Sequence, residues 1–435
     1  MIHLHYNSAL DEKIAAMRAG LKNYLVRLNH VVSEGGYSQS EASINLPVDA
    51  RLLVEVQQLA VKKVTPRLKY HIVVGIGGSN LGAKAIYDAL LGYDDVIESV
   101  QYPKLIFVET VDADFLQAIV KMIGKLELPD QVLVSVISKS GGTTETIANF
   151  EIVTHALTGR FGEQSLQRVV VITDDDSELW RAAQQKNIDR LSIPRYVGGR
   201  YSVFSAAGLF PLETVGIDTV ELLQGALEMR DKCLADGEHC VAMTSACLLN
   251  YYRLQSKSIN DNFIFSPRLE SVGKWYRQLI AESIGKQKDL SDQDVYVGIT
   301  PIVSIGSTDL HSVGQLYLGG PKDKFTTFVS VDDETHLDVP AERLLPQITP
   351  MINQKSAQEI MHAILDGTMA AYQKANLPYV HVALDEINAH DLGAYLQFKM
   401  IEVMYLAQLM NVNAFDQPNV DLYKIETKNI LENEV

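Results

Sequence analysis

The nine residues Ser138-Lys139-Ser140-Gly141-Gly142-Thr143-Thr144-Glu145-Thr146 place hydroxyls at five positions, beside two glycines and one lysine. That mixture suits a phosphate monoester, whose charge is roughly −1.5 to −2 near neutral pH. Hydroxyl and backbone donors can saturate its oxygens, each charge-assisted bond contributing roughly 1.5 to 3 kcal/mol before desolvation. Thr143 or Thr144 also suits a helix cap, which accounts for one hydroxyl and not for five. A second loop, Gly75-Ile76-Gly77-Gly78-Ser79-Asn80-Leu81-Gly82, offers bare backbone N–H groups ahead of the helix-forming AKAIYDALL. Asn80 stands where a dinucleotide fingerprint has its third glycine, and Ala83-Lys84 follows Gly82 where a P-loop has Lys-Ser/Thr, so neither nucleotide motif is met. Without a ligand, the same loop reads as a tight strand-to-helix turn.

Both loops need a scaffold that presents them side by side. Short β-branched runs at HIVV (71), KLIFV (104), VLVSVI (132), VVVIT (169) and LSI (191) are separated by helix-length segments, the rhythm of a parallel sheet covered on both faces. Each loop follows one of these runs, at the carboxyl edge where open α/β sheets bind ligands. Before them, Leu10 to Leu28 and Leu52 to Val61 have helical spacing around a turn at Ser33 to Tyr37. After VGGRYSVFSAAGLFPLETVGID the pattern restarts, with strands at NFIFS (262), KFTTFVSV (324) and YVHVAL (379) and an amphipathic helix over Leu392 to Met410. The fold class is α/β: two doubly wound, three-layer αβα domains at 63–215 and 216–435, with N-terminal and C-terminal helical extensions. The segment 1–62 is expected to pack on the second domain.

Composition narrows the function classes. Lys and Arg total 38 against 54 Asp and Glu in 435 residues, a net charge of −16, which disfavours a broad nucleic-acid or anionic-lipid surface. Hydrophobic residues at 47% and charged residues at 21% are ordinary for a globular chain. The start MIHLHYNSALDEKI has no secretory pattern, and no apolar run nears the ~18 to 20 residues of a membrane span, so a cytoplasmic location is expected. Cys233, Cys240 and Cys247 are too few for a disulfide framework. Their spacing suggests one helical face, too spread to share a metal, and buried, reduced thiols. No metal-ligand spacing such as HExxH occurs.

The hydroxyl loop resembles that of the sugar-isomerase (SIS) domains, which hold phosphosugars. From 70 to 424 the chain resembles the phosphoglucose isomerase family in its short bacterial form, through HIVVGIGGSNLG, SKSGGTTET, VGGRYSVFSAAGL, QLIAESIGK, DLHSVGQ and FDQPNVDLYK in family order. Several separated motifs in order are far more specific than any one. The resemblance implies two SIS-type domains and interconversion of glucose 6-phosphate and fructose 6-phosphate in glycolysis and gluconeogenesis. It also implies a homodimer and no need for a cofactor or metal.

The resemblance further assigns roles. Glu282 would be the proton-shuttling base; an ordinary Glu titrates near 4.3, and partial burial would raise its basicity. Arg200, after Gly198-Gly199, would stabilise the enediolate with a fixed guanidinium. His311 would serve ring opening from the neighbouring subunit, and Lys424 would act with it. Ser138, Lys139, Ser140 and Thr143 would hold the phosphate, and Gly78, Ser79 and Gln417 would contact the substrate. Three departures stand out: Arg195 where a small, acidic or amide residue is usual, Asn419 for glycine, and Asp421 for Glu. A left-handed turn at Asn419 would be tolerable. Another phosphosugar isomerase, for example one also acting on mannose 6-phosphate, and a non-catalytic sugar-phosphate-binding protein remain alternatives.

Overall fold

The computed structural model describes residues 2–98, 100, 102–235, 240–332 and 336–433. In chain order the strands are β1 (Ile2–His5), β2 (Tyr70–Val74), β3 (Lys104–Val108), β4 (Val132–Ile137), β5 (Val169–Thr173), β6 (Asp189–Ser192), β7 (Ile259–Ile264), β8 (Lys286–Lys288), β9 (Asp294–Val297), β10 (Thr300–Ile305), β11 (Lys324–Val331) and β12 (Tyr379–Leu384). The helices are α1 (Asp11–Gly20), α2 (Lys22–Glu34), α3 (Ala50–Lys63), α4 (Leu81–Ile97), α5 (Ala113–Gly124), α6 (Thr144–Phe161), α7 (Glu178–Gln185), α8 (Ala206–Thr214), α9 (Thr219–Leu234), α10 (Val241–Leu254), α11 (Glu270–Ile284), α12 (Gly314–Gly319), α13 (Ala357–Lys374), α14 (Ala389–Leu409) and α15 (Asp421–Asn433).

Two five-stranded sheets result. The first, ordered β3-β2-β4-β5-β6, is wholly parallel; the second, β1-β12-β11-β7-β10, is parallel except for β1, which pairs antiparallel with β12. Strand periodicity explains the two-sided core. Ile72, Val74, Val134, Val136 and Val171 face one apolar cluster, while Val73, Leu133, Ile137, Val170 and Ile172 face another. That second cluster continues without a break to Phe325, Val329, Val380 and Val382 of the other sheet. Helices α4 and α11 pack on each other across the join.

All five sequence-legible strands of the first sheet are present. In the second, β10 escaped the pattern because TPIVSI has Pro301 as its second residue and lies at the sheet edge, where proline is tolerated. β1 and the β8–β9 hairpin are likewise too short to show a period. Two expectations need correction. The helix at Leu392–Met410 is α14, and it is buried on all sides from Asp391 to Ala407 rather than amphipathic. Its buried charged pair is neutralised internally: Lys399 Nζ lies 2.9 Å from Glu402 Oε2, and the Tyr276 hydroxyl donates to Glu402 Oε1 at 2.6 Å. The cysteines do not share one helix face. Cys233 lies in α9, Cys240 caps α10 and Cys247 lies within it; all three are buried and free, and Cys240 Sγ donates to the Cys233 carbonyl at 3.0 Å.

The N-terminal stretch touches both halves. β1 joins the second sheet and α1 packs on α10, whereas α3 packs on α8 and its Lys62 and Lys63 pair with Asp189 of β6 at 2.8 and 2.7 Å. No described helix is long and apolar enough to cross a membrane.

Each sheet buries one titratable side chain in its strands. His71 of β2 is fully buried between the Thr214 hydroxyl (2.7 Å) and the Ser135 hydroxyl (2.9 Å), and burial pushes its pKa down to about 3. Asp261 of β7 meets the Ser304 hydroxyl at 2.8 Å, and burial pushes its pKa up to about 7.

Candidate active site

The glycine loop leaves β2 as a single tight turn, Gly77–Ser79. Here the absence of side chains is a packing requirement. A Cβ at Gly78 would lie 2.2 Å from the Gly199 carbonyl carbon, so the loop and the Gly199–Tyr201 turn interlock backbone to backbone. Ser202 Oγ ties the pair by donating to Gly199 O at 2.7 Å and Gly78 O at 3.2 Å. Gly77 has φ +59°, and a Cβ there would meet the Gln278 amide nitrogen at 2.9 Å. Asn80, the residue that breaks the nucleotide fingerprint, is buried and donates to Gly75 O at 2.8 Å and Glu109 Oε1 at 3.1 Å, closing the loop on itself.

The hydroxyl loop follows β4. Thr143 occupies the cap position of α6 but makes no capping bond; its hydroxyl meets that of Ser138 at 3.1 Å instead. Ser140 Oγ accepts from Gly142 N at 3.4 Å, and the buried Thr146 hydroxyl has no partner among the described residues. The loop therefore keeps its donors at the N-terminus of an eighteen-residue helix. Lys139 is partly buried, and its pKa is lowered by that burial, opposed by Asp174 and reinforced by the neighbouring Arg200 charge. β4 lies next to β2 in the sheet, and a Cβ at Gly75 would lie 3.1 Å from Ile137 O, so the hydroxyl loop stands beside the glycine loop that interlocks with the Gly199–Tyr201 turn.

Arg200 is 3% exposed. A buried guanidinium must spend its donors on partners, and this one does. Nε donates to Ser283 Oγ at 2.8 Å; Nη1 to Gln417 Oε1 at 2.8 Å and Glu282 Oε2 at 3.2 Å; Nη2 to the carbonyls of Ala414 at 2.5 Å and Asp416 at 3.1 Å. Tyr201 backs the group, its hydroxyl 3.0 Å from Ser283 Oγ and its ring 5.4 Å from that of Phe415. Glu282, on the last turn of α11, keeps a third of its side chain open. Its Oε1 accepts from the Gln278 amide at 3.0 Å, one helical turn earlier. The result is an aimed carboxylate beside a fixed cation, bordered by an anion-holding loop: a site for moving a proton on a carbon next to an oxygen that takes up negative charge.

The family model for phosphoglucose isomerase matches residues 55–434. The chain belongs to the phosphoglucose isomerase family. It is 31% identical over 390 residues to the glucose-6-phosphate isomerase of Carboxydothermus hydrogenoformans, covering 88% of this chain and 82% of that one. It is 33% identical over 362 residues to that of Methanocaldococcus jannaschii, covering 80% and 81%. Among solved structures, a hypothetical protein from Thermus thermophilus superposes with a TM-score of 0.88 at 29% identity, covering 99% of this chain and 100% of that one. A glucose-6-phosphate isomerase from Chlamydia trachomatis shares the fold, with a TM-score of 0.77 at 21% identity over 91% of this chain and 75% of that one.

Of the residues that the phosphoglucose isomerase resemblance singles out, the fold gathers Gly78, Ser79, Ser138, Lys139, Ser140, Thr143, Arg200, Glu282 and Gln417 around the loops and cluster just described. Two stand apart. His311 is exposed at the end of the Thr308–His311 turn after β10 and, among the described residues, has no hydrogen bond to the cluster. Lys424 lies on α15, 52% exposed, and pairs with Asp421 at 3.3 Å. Asn419 is not left-handed; its side chain donates to Gln287 Oε1 at 3.1 Å. Arg195 is neutralised outside the cluster by Asp176 at 3.4 Å. Sequence reasoning passed over Gln278, Ser283 and Tyr201. Of these only Gln278 carried a signal, its position four residues before Glu282 on the same helix face.

Proposed function

We propose that this chain interconverts glucose 6-phosphate and fructose 6-phosphate by proton transfer between C1 and C2. Glu282 takes the C2 proton of the open aldose. The freed electron pair forms the C1–C2 double bond while the C1 carbonyl oxygen becomes the enediolate oxygen. Returning the proton to C1, while the hydroxyl proton on O2 passes to O1, turns the C2 oxygen into the carbonyl and the C1 oxygen into a hydroxyl, which is the ketose. Arg200 offsets the charge on the enediolate, and Gln417 holds its guanidinium in plane. Ser138, Ser140 and Thr143, with Lys139, hold the phosphate, and Gly78 and Ser79 present backbone to the sugar.

The observation that carries this reading is the pair itself. Glu282 is open by a third while its oxygens are aimed by Arg200 and Gln278, the posture of a base rather than of a structural ion pair. Conversion of fructose 6-phosphate by the purified chain, with product followed in a separate coupled step, tests it. Glu282→Gln should cut kcat by about 10³-fold or more while leaving substrate binding, because shape is kept and the base removed. Undiminished turnover in that variant overturns the assignment.

His311 and Lys424 complete the site in a homodimer, His311 coming from the second copy to open the ring. Exposed apolar side chains on the elements near both residues, Leu316 and Leu318 of α12 and Leu422, Tyr423 and Ile425 of α15, support a face that a second copy covers. A monomer in solution at catalytic concentration, fully active, would refute that arrangement.

A further inference from the structure

A second cation lies in the cluster, and it is not Lys424. Lys286 begins β8, two residues beyond the end of the helix that carries Glu282. Its side chain is 6% exposed, and its ammonium donates to Asp416 twice, at 2.8 Å to Oδ1 and by a shorter contact to the backbone carbonyl. The same carbonyl accepts from Arg200 Nη2 at 3.1 Å. Two positive side chains thus converge on one peptide oxygen. Burial lowers the Lys286 pKa, Asp416 opposes that shift, and the Arg200 charge adds to it.

Such a junction is tolerable because the segment Ala414–Gln417 wraps both cations. It offers the carbonyls of Ala414 and Asp416 and the side chains of Asp416 and Gln417. Asn413 steadies the wrap from below, donating to Asp416 Oδ2 at 3.0 Å and accepting from Phe415 N at 3.0 Å. Within this ring of contacts Lys286 anchors the segment from outside it, bonding to Asp416 and not to Glu282, whose charge it feels only at longer range.

Resting on the isomerase reading above, we propose that Lys286 is a positioning residue for the reaction: it pins Asp416 so that the 414–417 segment holds Arg200 and Gln417 in register with Glu282. Without the ammonium, Asp416 Oδ1 turns to water and the segment loosens. The guanidinium then shares its donors over more than one geometry. The phosphate loop is on other elements and is unaffected, so the loss falls on turnover rather than on capture of substrate.

The test is a set of variants of the full chain, each checked for folding by its thermal midpoint and for oligomeric state. Lys286→Met should lower kcat by about 10- to 100-fold with KM within about threefold, because displacement of a catalytic group by about 1 Å costs on that order. Added to Gln417→Ala, the same substitution should cost less than about threefold more, since both act through Arg200 placement. Multiplying effects, or a kcat within about threefold of the parent in the single variant, overturn the proposal. If Lys286→Met does not fold, Asp416→Asn, at a half-exposed side chain, carries the test with a smaller kcat loss of the same non-additive kind. Glu282→Gln run in parallel separates the two readings. If it retains turnover, the isomerase assignment of the base has failed; if it is dead while Lys286→Met is unimpaired, the clamp alone has failed.

Discussion

The carboxyl edges of the two sheets are finished to different degrees. At the first, the loops after β2 and β4 and the Gly199–Tyr201 turn interlock through bare backbone, internal hydroxyl contacts and a buried arginine. At the second, the turn bearing His311 after β10 is exposed; α15 with Lys424, which follows the 414–417 segment, likewise exposes its described side chains from Asp421 to Glu432. The contrast teaches that one chain brings the glycine loop, the hydroxyl loop and the Arg200–Glu282 pair together by itself, while His311 and Lys424 are displayed outward.

The contrast can be broken most severely at Arg200. Arg200→Met removes five hydrogen bonds at once and should reduce kcat by about 10³-fold, measured with fructose 6-phosphate under saturating conditions. On the outward side, His311→Ala should cost about 10²-fold, and mixing it with Glu282→Gln after subunit exchange should restore activity. Restoration requires that one mixed site draw an intact Glu282 from one chain and an intact His311 from the other; no recovery means that both act within one chain. A smaller effect is expected at the hydroxyl loop, where Thr143→Val should raise KM about tenfold and leave kcat nearly unchanged, by loss of one charge-assisted bond.

The smallest effects concern pH and stability, and they have opposite signs in the two sheets. His71 resists protonation when folded, so its contribution is complete above about 6.5 and is lost as pH falls toward 3. Asp261 resists ionisation when folded, so its penalty is absent below about 4, grows as pH rises to about 7 and is constant above. Asp261→Asn should flatten the fall in thermal midpoint between about pH 4 and 7, a change of about 1 to 3 kcal/mol, with the acid limb set by His71 retained. His71→Gln should flatten the acid limb and leave the alkaline one. Identical profiles for both variants would mean that neither buried group governs stability.

Much of this was legible in residue order. The runs VLVSVI and VVVIT declare buried parallel strands, because β-branched residues on both faces suit a sheet covered twice. TPIVSI did not, because its proline argues against a strand unless the edge position is known. α14 misled for a related reason: Gln397, Lys399 and Glu402 look like a wet face until Tyr276 and the internal ion pair are seen to satisfy the charged pair among them. In the site, Glu282, Arg200 and Gln417 stood out through their motifs. Ser283, Tyr201 and Lys286 carry residue types that read as ordinary structure, and only the contacts of Ser283 with Arg200 and Tyr201 and of Lys286 with Asp416 distinguish them.

The unbroken apolar cluster running from Val73 and Ile137 to Val329 and Val382 has a consequence for how the molecule can be divided. Two sheets with like topology invite the picture of separable modules on a hinge. Here each would carry away half of a shared interior, baring a wide oily surface on both pieces. A cut in the connection near Gly216 should yield fragments that aggregate alone and recombine when mixed, and calorimetry of the intact chain should record one melting event instead of two.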